Sequence, residues 1–291
     1  MAAAPDPAGL RVLTLNVLAP AWADWPRRRG VVLAGLRDLR PDVVALQEIH
    51  LGADHDEAAD LLGPGYHLAR HPTASEDGTT AVLASRWPFG TVHRVDLDVG
   101  GRSGEFGWGG AVVAEVLGPP SIGPLLVVHH KPMFQLGRER EREQAAVRTA
   151  RVVEDLVGER AGPVHVVLLG DLDAAPDSAS VRFWTGRQSL EGTSVVYHDA
   201  WEAAGDGGPG HTFTPDNPLV RDGDMPLVGP RRIDYVMVRG TDFGPTLAVA
   251  SCRLAFDEPR DGTWASDHYG VVADLTVPSR APGDFSPLFL A

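Results

Sequence analysis

Apolar residues in this chain fall into short runs that end abruptly on polar ones. Leu10 to Leu15 reads as a buried strand that stops at Asn16, and Asp42 to Gln47 as a second strand followed at once by Glu48. Between them Trp25 to Leu39 places Val32, Leu36 and Leu39 at helical spacing. Pro41, which has no amide hydrogen to continue a helix, stops it. The same order then returns: a strand over Leu125 to Val128, a helix over Arg138 to Val157 with Ala146, Ala150, Val153 and Val157 on one face, and a strand over Val164 to Leu169. No residue-level repeat joins the two halves, so the echo is one of architecture. Further strands are expected at Thr80 to Ala84, Gly110 to Val116, Ile233 to Val238, Thr246 to Cys252 and Val271 to Leu275.

Many strands and few helices predict an α/β chain of packed sheets flanked by helices. The stretches Asp98 to Gly109, Gly205 to Pro230 and Phe256 to Thr263 are rich in Gly, Pro and Asp and are expected to be surface loops around a site. Residues 1–9 read as an N-terminal arm, 10–277 as one domain and 278–291 as a tail, which Phe285, Leu288, Phe289 and Leu290 are expected to dock on the body. The alternating run Arg138 to Glu143 pairs opposite charges at i,i+3, which predicts a self-neutralising solvated helix face rather than a phosphate-binding patch.

Composition narrows the chemistry. The 291 residues are 43% hydrophobic, enough for a sizeable core. Twenty-six basic against 39 acidic residues give a net charge of −13, the opposite of what a chain that tracks phosphate backbones carries. Nucleic acid is therefore a disfavoured partner, although a bound divalent cation can make a cleft locally positive. Cys252 is the single cysteine, so no intrachain disulfide or cysteine-based metal cluster is available and any metal must sit on oxygen and nitrogen. Neither a leader-like start nor a membrane-length apolar stretch is present, and the expectation is a monomeric, cytoplasmic protein.

The polar residues at strand ends carry the candidate chemistry: Asn16, Glu48, His129 and His130, Asp171 and Asp173, Asp234, and the Asp267-His268 pair. A single such residue usually caps a turn or faces water. Carboxylates and an amide brought together from several strands instead form an oxygen-rich site, which suits a hard cation such as magnesium better than zinc.

The ordered set Thr14-Leu15-Asn16-Val17, Leu46-Gln47-Glu48, Ala84-Ser85-Arg86-Trp87-Pro88, Val128-His129-His130, Gly170-Asp171-Leu172-Asp173, Arg232-Ile233-Asp234-Tyr235 and Ser266-Asp267-His268 resembles the exonuclease-endonuclease-phosphatase superfamily over nearly all of residues 10–276. That superfamily includes nucleases of the deoxyribonuclease type, inositol polyphosphate phosphatases and neutral sphingomyelinases. The resemblance implies a four-layer α/β/β/α sandwich with two central mixed β-sheets and a site at one edge. It implies Mg2+, with Mn2+ as a substitute, held chiefly by Glu48 with Asn16 and Asp267. It makes His268 a general base or phosphate partner oriented by Asp234, Asp171 the group that aligns or deprotonates the attacking water, and His130 a phosphate clamp or leaving-group acid.

Two departures from the family pattern stand out. Where the family has Gly-Asp-x-Asn, this chain has Asp173, and an ionised carboxylate accepts but cannot donate a hydrogen bond. Asp173 is open to three readings: a second metal ligand, a proton-sharing neighbour of Asp171, or a mark of weakened activity. In the second departure Val128-His129-His130 lacks the family's Asn and adds a histidine; His130 is favoured as the working one. His211 is read as solvent-facing, Arg86 as structural, Trp184 and Trp201 as core, and Trp108 and Trp264 as pocket-shaping.

The leading expectation is a metal-dependent phosphoesterase acting on a phosphodiester, or less readily a monoester, of a small molecule or lipid headgroup. The alternatives are a nuclease and a catalytically silent binding module of the same fold. An inositol polyphosphate 5-phosphatase is disfavoured, because Val228 to Arg232 lacks that family's tryptophan-rich signature.

Overall fold

Two parallel strand pairs, each closed by a crossover helix, organise the molecule. A computed structural model describes residues 9–52, 55–99 and 109–290. In chain order its elements are β1 (Gly9–Asn16), α1 (Trp25–Leu39), β2 (Val43–His50), α2 (Glu57–Leu62), β3 (His67–Arg70), β4 (Thr79–Ser85), β5 (Phe89–Asp96), β6 (Gly110–Val116), β7 (Leu125–Lys131), α3 (Glu139–Gly158) and β8 (His165–Asp171). There follow α4 (Ala179–Trp184), β9 (Tyr197–Asp199), α5 (Ala200–Ala204), α6 (Pro218–Arg221), β10 (Asp234–Thr241), β11 (Gly244–Pro245), β12 (Ala248–Ala255), β13 (Gly270–Thr276) and α7 (Pro287–Leu290).

One sheet runs β12-β13-β1-β2-β4-β3, and the other runs β11-β10-β8-β7-β6-β5 with β9 paired to β10. β1 and β2 pair in parallel, as do β7 and β8, and the other described pairs are antiparallel. Parallel neighbours need a crossover, and α1 and α3 supply it. The architectural echo between the halves is thus a pair of β-α-β units, one at the heart of each sheet.

Both mixed sheets are hydrophobic on both faces, which makes the α/β/β/α sandwich. Val12, Val43, Leu83 and Val271 of the first sheet meet Val112, Val127, Val167 and Leu169 of the second in the inner layer. Leu13, Leu15, Val44 and Leu46 pack outward against Val32, Leu36 and Leu39 of α1. Val128, Val166 and Leu168 pack outward against Ala146, Ala150 and Val153 of α3 and against Trp184. Trp184 and Trp201 are core residues as expected.

The helix ends follow their sequence signals. α1 starts with proline in its first turn and ends at Arg40, which takes a left-handed φ of 48° just before Pro41.

Several features differ from expectation. β5 escapes the alternation rule because it is an exposed edge strand bearing Thr91, His93 and Arg94. The 205–230 stretch is a folded excursion that contains α6 and returns to the sheet end at Phe213. The solvated run at the start of α3 forms its Arg138–Glu141 and Arg142–Glu139 pairs at 2.8 Å, yet Arg142 is buried and also donates to the Met133, Gln135 and Leu136 carbonyls. The tail does not dock as expected: Phe285 stacks on Phe289, while Leu288 stays 92% exposed. The side chain of Leu290 and residues 1–8, with most of the expected arm, lie outside the described residues. No helix among the described residues is long and apolar enough to cross a membrane.

Candidate active site

The site forms where the inner layer turns from apolar to polar. Side chains along a strand alternate between faces. Leu10 and Val12 of β1, Val43 and Ala45 of β2, Leu125 and Val127 of β7, Val167 and Leu169 of β8, and Val236 and Val238 of β10 all face the inner layer. Extending each parity to the end of its strand places Thr14 and Asn16, Gln47, His129 and Lys131, Asp171, and Asp234 on that same layer. Every one of these polar residues is buried.

Glu48 breaks the alternation by a bulge. The β2–β4 register shifts between Gln47 and Ile49, and Glu48 takes a left-handed φ of 59°. Bulges re-aim side chains, and a non-glycine residue held at positive φ is strained, a combination common at functional sites. Glu48 Oε1 accepts from Asn16 Nδ2 at 2.9 Å, and Oε2 accepts from the Ala19 amide at 3.2 Å. Arg28, buried in α1, donates to the carbonyls of Val17, Leu18, Ala19, Trp22, Ala23 and Ala265 and so fixes the loop after Asn16 beside the Asp267 segment.

Asp267 belongs to the same end of the molecule. Asn217 Nδ2 holds its backbone by donating to the Ser266 carbonyl at 2.8 Å and the Asp267 carbonyl at 3.3 Å. Loss of solvent pushes the Asp267 carboxyl up to about 6; His268 opposes this and the charge of Glu48 adds to it. Glu48 and Asp267, two carboxylates whose charges act on each other, are oxygen donors with no sulfur, and such donors fit a hard divalent cation.

Asp171 ties the two sheets together. Its Oδ2 accepts from Asn16 Nδ2 at 3.0 Å and from Lys131 Nζ at 2.8 Å, and its Oδ1 accepts from the Asp173 amide at 3.1 Å. Burial works against its charge, but Lys131 and His268 outweigh that and bring its carboxyl down to about 2. Lys131 also donates to Asp173 Oδ2. Burial and the neighbouring Asp171 raise the Asp173 carboxyl to about 6. Asp173 sits at a left-handed φ of 52°, and Arg231 donates to its carbonyl at 2.9 Å. Gly170 is obligatory here: its φ is +154°, and a Cβ would lie 2.1 Å from the His130 carbonyl oxygen.

His268 and Asp234 form the third group, with Nδ1 2.9 Å from Asp234 Oδ2. Although burial disfavours the imidazolium, Asp234 and Asp171 raise the His268 pKa well above its ordinary value. The folded loop sets this pair. Thr212 Oγ1 accepts from the Ile233 and Asp234 amides, its carbonyl accepts from the Tyr269 amide, and the Phe213 ring lies 5.1 Å from the His268 ring. Asp171, Asp234 and His268 offer ligand atoms that all lie within 4.8 Å of one another.

The structure does not bring His130 to this cluster. Its parity points it outward, where Nδ1 meets Thr149 Oγ1 at 3.1 Å and its ring lies edge-on to Trp184. Burial there takes its pKa down to about 3, unsuited to a leaving-group acid near neutral pH. His129 does face inward, but it lies deeper in the layer, with Nε2 2.7 Å from Gln47 Nε2 and its ring against His71. Lys131, which sequence reasoning passed over, is the β7 residue at the site. Trp264 stacks on Tyr269 beside Ser266, Arg86 donates to the Pro41 carbonyl at 3.0 Å, and Trp108 lies outside the described residues.

The family model for the Endonuclease/Exonuclease/phosphatase family matches residues 13–268. No curated protein matches the sequence. Among solved structures, D. rerio TDP2 complexed with single strand DNA product has a TM-score of 0.70 at 19% identity, covering 93% of this chain and 100% of that one. The endonuclease/exonuclease/phosphatase from Bacteroides vulgatus has a TM-score of 0.69 at 21% identity, covering 93% and 99%. The human Nocturnin catalytic domain with bound sulfate anion has a TM-score of 0.66 at 18% identity, covering 93% and 94%. Likeness at these identities speaks for the fold alone.

Proposed function

Because the chain belongs to the Endonuclease/Exonuclease/phosphatase family, we propose that it is a magnesium-dependent phosphoesterase that hydrolyses a phosphodiester of a small molecule or lipid headgroup by direct attack of water. The observation that carries this reading is the convergence of Asn16, Glu48, Asp171, Asp234 and His268, from both sheets, on one edge of the sandwich. Glu48 and Asp267 are the charged metal ligands, with Asn16 holding Glu48 in place. When bound, magnesium supplies positive charge that neutralises the phosphoryl oxygens and favours the attacking oxygen.

The chain's own residues do the rest. Asp171, held ionised by Lys131, accepts a hydrogen bond from the attacking water and orients it. With a proton on Nδ1 shared with Asp234, His268 presents Nε2 to the phosphoryl group, and as imidazolium it donates there, where charge develops. Asp234 keeps the ring in that orientation.

The net charge of −13 favours a compact substrate over an extended polynucleotide. The second reading, a nuclease, draws on the shared fold of the D. rerio TDP2 structure complexed with single strand DNA product. A panel of a chromogenic aryl phosphodiester, its monoester and a fluorescent oligonucleotide, each at low salt with magnesium or manganese, separates the two. Preference for the small diester supports the proposal, and faster cleavage of the oligonucleotide would replace it with the nuclease.

A further inference from the structure

We propose that Lys131 is a built-in cation that fills the place between Asp171 and Asp173 where a second divalent ion would otherwise bind, so that this centre takes one metal. The inference rests on the metal-dependent reading of the site. It begins from a pair of buried carboxylates two residues apart: Asp171 is fully buried and Asp173 nearly so, and a glutamate and a histidine stand nearby. Such a pair needs a positive charge.

The structure supplies that charge covalently. Lys131 Nζ donates to Asp171 Oδ2 at 2.8 Å and also to Asp173 Oδ2, with its side chain only 4% exposed. The backbone is arranged to hold this bridge. Asp173 takes a left-handed φ, its amide donates back to Asp171 Oδ1, and Arg231 Nη2 donates to its carbonyl. A divalent ion placed between the same oxygens would meet an ammonium at van der Waals distance. The two cannot share the position, because like charges in a buried pocket repel strongly.

This joins the carboxylate at 173, a departure from the family pattern, and the lysine at 131 into one device. Without Lys131 the two buried carboxylates would have no cation between them. Lys131 acts through Asp171 and is therefore a positioning residue: it holds Asp171 ionised and aimed without a second metal.

The test is the number of Mn2+ ions bound per chain, followed by titration calorimetry and by the paramagnetic resonance spectrum of the bound ion, in wild type, Lys131→Met and Lys131→Arg. The expected result is one ion in wild type and in Lys131→Arg. Lys131→Met should bind two, with the broadened spectrum of a coupled pair, because Asp171 and Asp173 are left with no cation. If Lys131→Met does not fold, as judged by its thermal transition, Lys131→Gln, which keeps hydrogen-bond donors but no charge, carries the same expectation. Two ions in wild type, or one ion in the folded neutral variant, would overturn the proposal while leaving the metal-dependent reading intact. No ion in wild type would overturn both.

Discussion

Asn16 Nδ2 donates to Asp171 Oδ2 across 3.0 Å, and this one hydrogen bond joins the last residue of β1 in one sheet to the last residue of β8 in the other. The same amide also donates to Glu48 Oε1 at 2.9 Å. The metal-binding side and the water-orienting side of the proposed site are therefore set by a single carboxamide. Their geometry depends on how the two sheets pack.

Asn16→Ala removes both bonds, leaving Glu48 held, among the described residues, only by the Ala19 amide and Asp171 only by Lys131 and the Asp173 amide. Loss of an outer partner of a metal ligand lowers affinity or activity by about 10–100-fold. The expected outcome is a fall in kcat/KM in that range together with weaker Mg2+ activation, measured by titrating the metal at fixed substrate.

Asp234→Asn keeps the shape of the His268 partner but removes its charge, and it can offer an amide hydrogen where the imidazole needs an acceptor. General acid–base groups contribute about 10²–10⁴-fold. kcat should drop within that range with little change in KM, a split that a merely structural role for Asp234 would not give.

His130→Ala separates the position favoured from sequence from the one found in the structure. The ring is buried against Trp184 and Thr149, away from the site. Its removal should cost about 2–4 kcal/mol in urea unfolding, yet the folded variant should keep kcat/KM within about threefold of wild type.

The sequence favours His130 for a physical reason. β7 is buried on both faces, so Leu125 to Val128 is apolar throughout and polarity gives no parity. Only contact with the inner layer shows that 125 and 127 face inward, which carries Lys131 to the site and turns His130 out. Asn16, Glu48, Asp171, Asp234, Asp267 and His268 were legible because each follows an apolar run at a strand end or begins the next one. Arg28, Thr212 and Asn217 were not. They act on backbone groups distant in sequence, and no spacing within the chain announces such bonds. The strand-helix-strand echo was visible, whereas the edge strand β5 was hidden by its exposed polar face.

Stability at acid pH should report the Arg11–Asp274 pair. Arg11, buried in β1, donates to both Asp274 oxygens, at 2.7 and 3.0 Å. Burial alone would raise the Asp274 pKa, but the Arg11 and Ser251 hydrogen bonds hold it below its ordinary 3.8. A carboxyl depressed in the folded state adds stability above its unfolded pKa and loses it as the pH falls through the folded value. Asp274→Asn should be less stable than wild type by about 1 kcal/mol at pH 7. In urea titrations that gap should close as the pH drops below the ordinary carboxylate value.

The metal-dependent function rests most directly on Glu48, whose bulged, left-handed position aims its carboxylate at Asn16 and the Ala19 amide. The deciding measurement is hydrolysis of a chromogenic aryl phosphodiester in magnesium by wild type and Glu48→Gln, with folding of both checked by circular dichroism. The account predicts activity in wild type that a chelator abolishes, and a loss of more than about 100-fold in Glu48→Gln, beyond what removal of an outer partner alone produces. Equal rates in the two folded proteins would contradict it.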